Sequence, residues 1–548
     1  MSSKNFFVVG LITLLWAAPV VGQDASEIPL KVETQALVEG ACSGQFVAHD
    51  LDYTSTVPGG GKVRMFDANG GGVAINDLDG DGQLDIVFAN QSGQNTILWN
   101  TGDLNFRADP LGVVGREPGN SRAAETVDVD GDGLLDIVFS GVKNPPTYWH
   151  NNGNQHFTRQ FLSGVGKPVY AINWADLNGD GSLDLVGATY DASLLTDYGQ
   201  EFLTSGNAGV FYYENHGGKF RLNTLESNAQ ALAVMLLDLN GDGHLDIWIG
   251  NDFGVPDMIW YWSDSGWQRE QPLRHMSYST MSLDFGDINN DGVNEVFSSD
   301  MQPYPGDDQG ATVMPPILDD LNNGRDLTAD PQITANVLQS IGGFTDSAAP
   351  AGIDATGWSW SGKFGDLNQD GFLDLYVVNG FDEMGTFPNL PNHELVEANQ
   401  AFRNMGNGTF THAPEWNLGS IRGGRGMSMA DLDGDGDLDI VVNNLNSPAQ
   451  LFENQLCEGA SLEVDLRWSG SPNTRAIGAT LILHTDKGTY YRDVKAASGY
   501  LSGDPARIHF GFPQNADLQL LEIHWPDGAM SRVEKVTENI VMKVTREE

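Results

Sequence analysis

Short apolar runs and acidic turns alternate along most of the chain. A small apolar stretch (Val73-Ala74-Ile75) enters an acidic loop, and a β-rich run, DIVFAN, leaves it. The later counterparts of that run are DIVFS, DLVGAT, DIWIGN, EVFSSD, DLYVVN and DIVVNN. A second apolar run follows, as in TILWN at Thr96–Asn100, TYWHN at Thr147–Asn151 and MIWYW at Met258–Trp262. A turn comes next, and an aromatic opens a fourth strand: Phe106, Phe157, Phe220, Trp267, Phe344 and Phe410. Four strands per unit, repeated, predict an all-β chain whose units cannot cover their apolar faces alone and must stack into a closed ring, a β-propeller.

Seven acidic loops set the blade count. Their sequences are DLDGDGQLD from Asp77, DVDGDGLLD from Asp128, DLNGDGSLD from Asp176, DLNGDGHLD from Asp238, DINNDGVNE from Asp287, DLNQDGFLD from Asp366 and DLDGDGDLD from Asp431. The seventh unit lacks a fourth strand of its own. The turn-plus-aromatic pattern of Gly217-Gly218-Lys219-Phe220 recurs at Ser43-Gly44-Gln45-Phe46-Val47, so residues 44–51 are expected to complete blade seven and leave no open edge. The predicted domains are a signal peptide at 1–22, a seven-bladed propeller at 23–457 and a small β-sandwich-like domain at 458–548. In the last, runs such as LEVDLRW, ATLILHT and LQLLEIHW are separated by turns. Two stretches interrupt the repeat, one between Asp300 and Asn336 and one from Tyr190 to Gly206.

The loop spacing carries chemistry. Oxygen-bearing side chains at positions 1, 3, 5 and 9 around a glycine at 6 let a tight turn wrap one hard cation, as in the first half of an EF-hand loop. The expected ligands are Asp77, Asp79, Asp81, Gln83 and Asp85 in the first loop and Asp128, Asp130, Asp132, Leu134 and Asp136 in the second. The third uses Asp176, Asn178, Asp180, Ser182 and Asp184, and the fourth Asp238, Asn240, Asp242, His244 and Asp246. The fifth uses Asp287, Asn289, Asp291, Val293 and Glu295, and the sixth Asp366, Asn368, Asp370, Phe372 and Asp374. The seventh uses Asp431, Asp433, Asp435, Asp437 and Asp439. Position 7 varies freely, which fits the use of its carbonyl alone. Oxygen donors without a conserved His or Cys point to Ca²⁺, up to seven ions. Asp-Gly turns without metal would leave the same oxygens converging uncompensated.

Composition narrows the function classes. The 548 residues carry 29 Lys and Arg against 74 Asp and Glu, a formal charge of −45, which excludes a basic nucleic-acid surface and docking on anionic lipid. Lys4 followed by the apolar run Phe6 to Val21 predicts an export signal cleaved before Gln23 rather than a membrane anchor, giving a secreted, periplasmic or cell-surface protein. The two cysteines, Cys42 and Cys457, flank the borrowed strand and its partner. In an exported protein they are expected to bond to each other, the alternative being two buried thiols.

On these motifs the chain resembles the FG-GAP/VCBS repeat propellers, the family shared with integrin α-subunit heads. The tail, with RAIGATLILH, VKAASGYLSGDPARIHFGF and LEIHWPDG, is similar to the ASPIC/UnbV domain. The pairing implies a secreted acidic calcium-binding protein of the cartilage-acidic-protein type. Glu295 departs from the closing Asp and is flanked by Asn290 and Asn294, so the fifth site is expected to differ most in affinity.

No H-E-x-x-H or G-x-S-x-G motif occurs. His393-Glu394 lacks a second histidine, and Gly357–Gly362 (GWSWSG) breaks the elbow spacing. The expected function is binding, adhesion or scaffolding of an extracellular protein or glycan. The alternatives are a sugar lyase or dehydratase, and a lectin using Trp260, Trp262 or Trp267. Asn90 and Asn407 head glycosylation sequons.

Overall fold

The computed structural model describes residues 28–58, 63–112, 120–263, 265–383 and 385–547. The expected signal at 1–22 lies outside them. Apolar and β-branched runs form four-stranded antiparallel sheets in which the first two strands are buried on both faces. The first strands, beginning with Val73–Asn76 and Ser121–Val127, pack side by side in chain order, and the last, Gly424–Ala430, returns to the first. Six such sheets and one of three strands among the described residues make a β-propeller.

Closure uses the N-terminal part of the chain. Val47–Thr54 is the outer strand of the seventh sheet, with Val47 opposite Glu453 and Asp50 opposite Gln450. A disulfide joins Cys42 to Cys457 beside this seam. The fifth sheet departs from the expected pattern: it has three strands among the described residues, Ser282–Gly286, Glu295–Ser299 and Val337–Ser340. Phe344 does not open a fourth strand. It sits in a turn at φ 45°, buried in the apolar cluster between blades four and five. The two interruptions form helices, Asp191–Tyr198 with Glu201–Thr204, and Gly310–Asn322.

The C-terminal residues build two further four-stranded sheets. One of them recruits Leu30–Ala36, which pairs with Ile540–Arg546 along its whole length. This strand falls within the 23–457 span read as propeller from sequence. The repeat pattern does not extend to it, so the sequence does not mark it as a strand of the C-terminal module.

The C-terminal module is also not a separate bead. A finger around its short hairpin, Ala497–Ser498 and Ser502–Gly503, enters the centre of the ring. Ser502 pairs with Ala124 of blade two, Gly499 with Leu283 of blade five, and Ala497 O accepts from Asn173 Nδ2 of blade three. Asn76 Nδ2 of blade one donates to Asp504 O, Ser428 Oγ of blade seven to Gly503 O, and Tyr500 N to Ser361 Oγ of blade six. The hairpin also packs on the first strand of blade four, so every blade touches the finger. A buried Lys363–Asp504 ion pair anchors its base.

Candidate metal centres

Each first strand runs out into its acidic loop, so all seven loops lie on one face of the ring. The loops share one hydrogen-bond plan. The carboxylate at position 1 accepts the N–H of the glycine at position 6, at 3.1 Å for Asp77–Gly82 and 2.8 Å for Asp128–Gly133 and Asp431–Gly436. That glycine always has positive φ, 85–96°, a conformation in which a Cβ is strained. The position-5 carboxylate takes the position-7 N–H in all seven loops, from 2.8 Å at Asp81–Gln83 to 3.1 Å at Asp435–Asp437.

The closing carboxylates, Asp85, Asp136, Asp184, Asp246, Glu295, Asp374 and Asp439, begin the second strands and are none more than 3% exposed. One oxygen accepts the position-2 N–H, as from Leu78 at 3.1 Å and Val129 at 3.0 Å. In six blades the other accepts the N–H at the end of the third strand: Asn100, Asn151, Asn215, Trp262, Asn404 and Asn454. In the fifth, Ser340 Oγ takes that place on Glu295. Burial lifts Asp85 to about 8 and Asp136, Asp184, Asp246 and Glu295 to about 7, against the pull of these hydrogen bonds. Such groups are held in carboxylate geometry while burial opposes their charge, which suits a site completed by a cation.

Positions 1, 3 and 9 converge. Oxygens of Asp77, Asp79 and Asp85 lie within 4.8 Å of one another, as do those of Asp128, Asp130 and Asp136, and those of Asp431, Asp433 and Asp439. The remaining loops place Asn178, Asn240, Asn289 and Asn368 at position 3. Asp81 and Asp435 stand outside their trios, while Asp132 groups instead with Asp130 and His150. The donor sets suit a hard divalent ion.

Two features escaped the sequence reading. His150 Nδ1 lies 3.4 Å from Asp130 and 3.3 Å from Asp136, so the second loop brings an imidazole to its carboxylates. The asparagine ending the third strand is a clasp between blades. Its Nδ2 donates to the position-2 carbonyl of the preceding loop: Asn100 to Leu432 O, Asn151 to Leu78 O, Asn404 to Ile288 O and Asn454 to Leu367 O, all at 2.7–2.8 Å. The recurrent final Asn of TILWN, TYWHN and QLFEN is its only trace in sequence.

The C-terminal module sits on this loop face. Thr474 Oγ1 donates to Asp128 at 2.5 Å, Arg507 Nη2 to Gly82 O at 2.9 Å and Asn473 N to Gly181 O at 2.9 Å. Residues 77–139, 128–187, 238–298 and 392–442 match the FG-GAP-like repeat, and residues 469–548 match the ASPIC and UnbV family. The chain carries FG-GAP-like repeats and ends in an ASPIC and UnbV domain. Cartilage acidic protein 1 of Mus musculus is 24% identical over 84% of this chain and 71% of its own length, and the Homo sapiens protein is 24% identical over 84% and 69%. Among solved structures, the Neurospora crassa Pan2 WD40 domain aligns at a TM-score of 0.39 with 8% identity, covering 76% of this chain and 97% of its own. The SapL1 lectin in complex with alpha methyl fucoside aligns at 0.33 with 11% identity, covering 63% and 95%.

Of the three tryptophans weighed as sugar platforms, one is buried and two, Trp262 and Trp267, are half-buried. Trp260 is buried with Arg269 over its ring, and Trp262 meets Trp267 edge to face at 5.0 Å. Asn90 is buried, its side chain holding Thr56 and Gly93, whereas Asn407 is exposed. No helix among the described residues is long and apolar enough to cross a membrane.

Proposed function

We propose that this is an exported, calcium-loaded binding or scaffold protein, in which ions held by the acidic loops stiffen the ring that presents a surface to an extracellular protein or glycan. The observation that carries the reading is the repetition of one donor plan in seven loops, with three all-Asp trios already converged. The ligands would be the side chains at positions 1, 3, 5 and 9 and the carbonyl at position 7. A bound cation supplies positive charge that balances the converging carboxylates. The chain's own part is to hold the loops: glycine N–H groups orient the first carboxylate, and the interblade asparagines orient the last. The disulfide, together with similarity to cartilage acidic protein 1, supports an extracytoplasmic location.

The test is elemental analysis of the purified protein after dialysis against micromolar calcium, paired with capture from native cell surfaces in calcium and in EDTA. Several calcium ions per chain and calcium-dependent capture support the reading. A metal-free protein with unchanged capture in EDTA overturns it.

A further inference from the structure

On the face opposite the acidic loops, Arg122 opens the strand Ser121–Val127 and turns its guanidinium into the protein. It is 3% exposed, yet among the described residues its Nε and Nη1 have no hydrogen-bond partner. Gln91 beside it is 1% exposed, and neither its Nε2 nor its Oε1 is partnered among the described residues. Buried polar groups are nearly always satisfied, and two unsatisfied side chains in one place mark a site completed by something else. A Cβ on Gly70 would lie 2.8 Å from Gln91 Nε2 and 2.9 Å from Arg122 Cδ, so the glycine is what lets both side chains occupy this position.

Both line a cavity of about 410 Å³. Its other charges are already matched, Arg64 with Asp67 at 2.7 Å and Lys143 with Asp197 at 2.9 Å. Arg122 is the cation left over, in a protein whose formal charge is −45. One unmatched positive charge fits a monoanion, and Asp67 and Asp197 in the same wall oppose a phosphate dianion. The planar guanidinium matches a carboxylate. The Gln91 amide offers a free donor and a free acceptor, which a hydroxyl satisfies together. Ser193 and Thr196 add hydroxyls, and Phe66 adds an apolar wall.

We propose that this cavity binds a small hydroxylated carboxylic acid of the sugar-acid type, its carboxylate on Arg122 and its hydroxyls on Gln91 and the Ser193–Thr196 wall. The site is independent of calcium at the loops.

Titration calorimetry of the intact protein with D-glucuronate tests it, with D-glucose and inorganic phosphate as controls. Saturable binding of glucuronate at least tenfold tighter than either control is expected. Arg122→Gln should lose at least tenfold in that affinity, and Gln91→Leu several-fold. Glucuronate no tighter than glucose, phosphate tighter than glucuronate, or undiminished binding by a folded Arg122→Gln each overturns the proposal. Should Arg122→Gln fail to fold, the unmodified protein and Gln91→Leu still decide it. Calcium-free protein that retains glucuronate binding separates this site from the loops.

Discussion

Tyr500 and Tyr170 share a hydrogen bond of 2.9 Å between their hydroxyls, although 330 residues separate them in the chain. The Tyr500 oxygen also accepts the N–H of Gly70 at 2.9 Å, and its ring packs on Trp360. One side chain from the C-terminal module thus ties blades one, three and six together at the far end of the channel. Tyr500→Ala should cost about 3–5 kcal/mol in chemical denaturation, the range for deleting a buried aromatic. Tyr500→Phe, which keeps the packing, should cost about 1 kcal/mol. A Tyr500→Ala variant as stable as the parent would show that the finger merely fills space.

Metal removal should weaken the whole ring. A ligand bound only by the native state adds about 4 kcal/mol per site at a thousandfold excess over its Kd. Calorimetric scans in EDTA should therefore melt well below scans in millimolar calcium. Superimposable curves would show empty loops.

The interblade clasp gives a local counterpart. Asn151 donates through its amide to Leu78 O at 2.8 Å and Leu135 O at 3.0 Å, while its backbone N–H holds Asp136. Asn151→Ala should lose about 1–3 kcal/mol, because two buried carbonyls are left without a donor. It should also weaken calcium at the second loop more than at distant ones. Site-resolved titration by NMR reads both effects, and unchanged affinity at that loop would separate the clasp from the metal site.

Asp257 gives a pH dependence away from the loops. Burial lifts it to about 7 even though Asn251 N, Trp248 Nε1 and Thr280 Oγ1 all donate to it. The native state then keeps a proton that the unfolded chain releases near pH 4. Between those values folding takes up a proton, so this group's contribution to stability falls as pH rises toward 7. Asp257→Asn should flatten the loss of stability between about pH 4 and pH 7. Identical pH profiles for the two proteins would place its titration in the ordinary range.

Breaking the Cys42–Cys457 bond opens a loop of 415 residues. Cys42→Ser with Cys457→Ser should destabilise by up to about 5 kcal/mol, since the bond restricts the unfolded chain most when the loop is long. Equal denaturation midpoints with and without the bond would show that strand pairing alone closes the ring.

What could be foreseen from sequence was whatever repeats. Acidic loops, the strand runs leaving them and the seam at blade seven all show as periodic residue types. The converging acidic trios follow because positions 1, 3 and 9 are close in the chain. The finger was hidden because Gly499-Tyr500-Leu501-Ser502-Gly503 has the composition of a surface turn, and only the width of the channel gives it a buried place. Leu30–Ala36 belongs to no repeat, and its partner lies at the opposite end of the chain. Arg122 and Gln91 carry no motif, and their importance lies in what the fold withholds from them.

The finger also sets an order of events. Ribosomes make its residues after all seven blades, so the part that every blade touches arrives only once the ring's own strands exist. Until it arrives the ring has its seam strands and both cysteines but a hollow centre. A chain truncated before Val494 should therefore not be a smaller version of this protein but an unfinished one, exposed to proteases. Translation to the final strand is in effect the quality check on everything made before it.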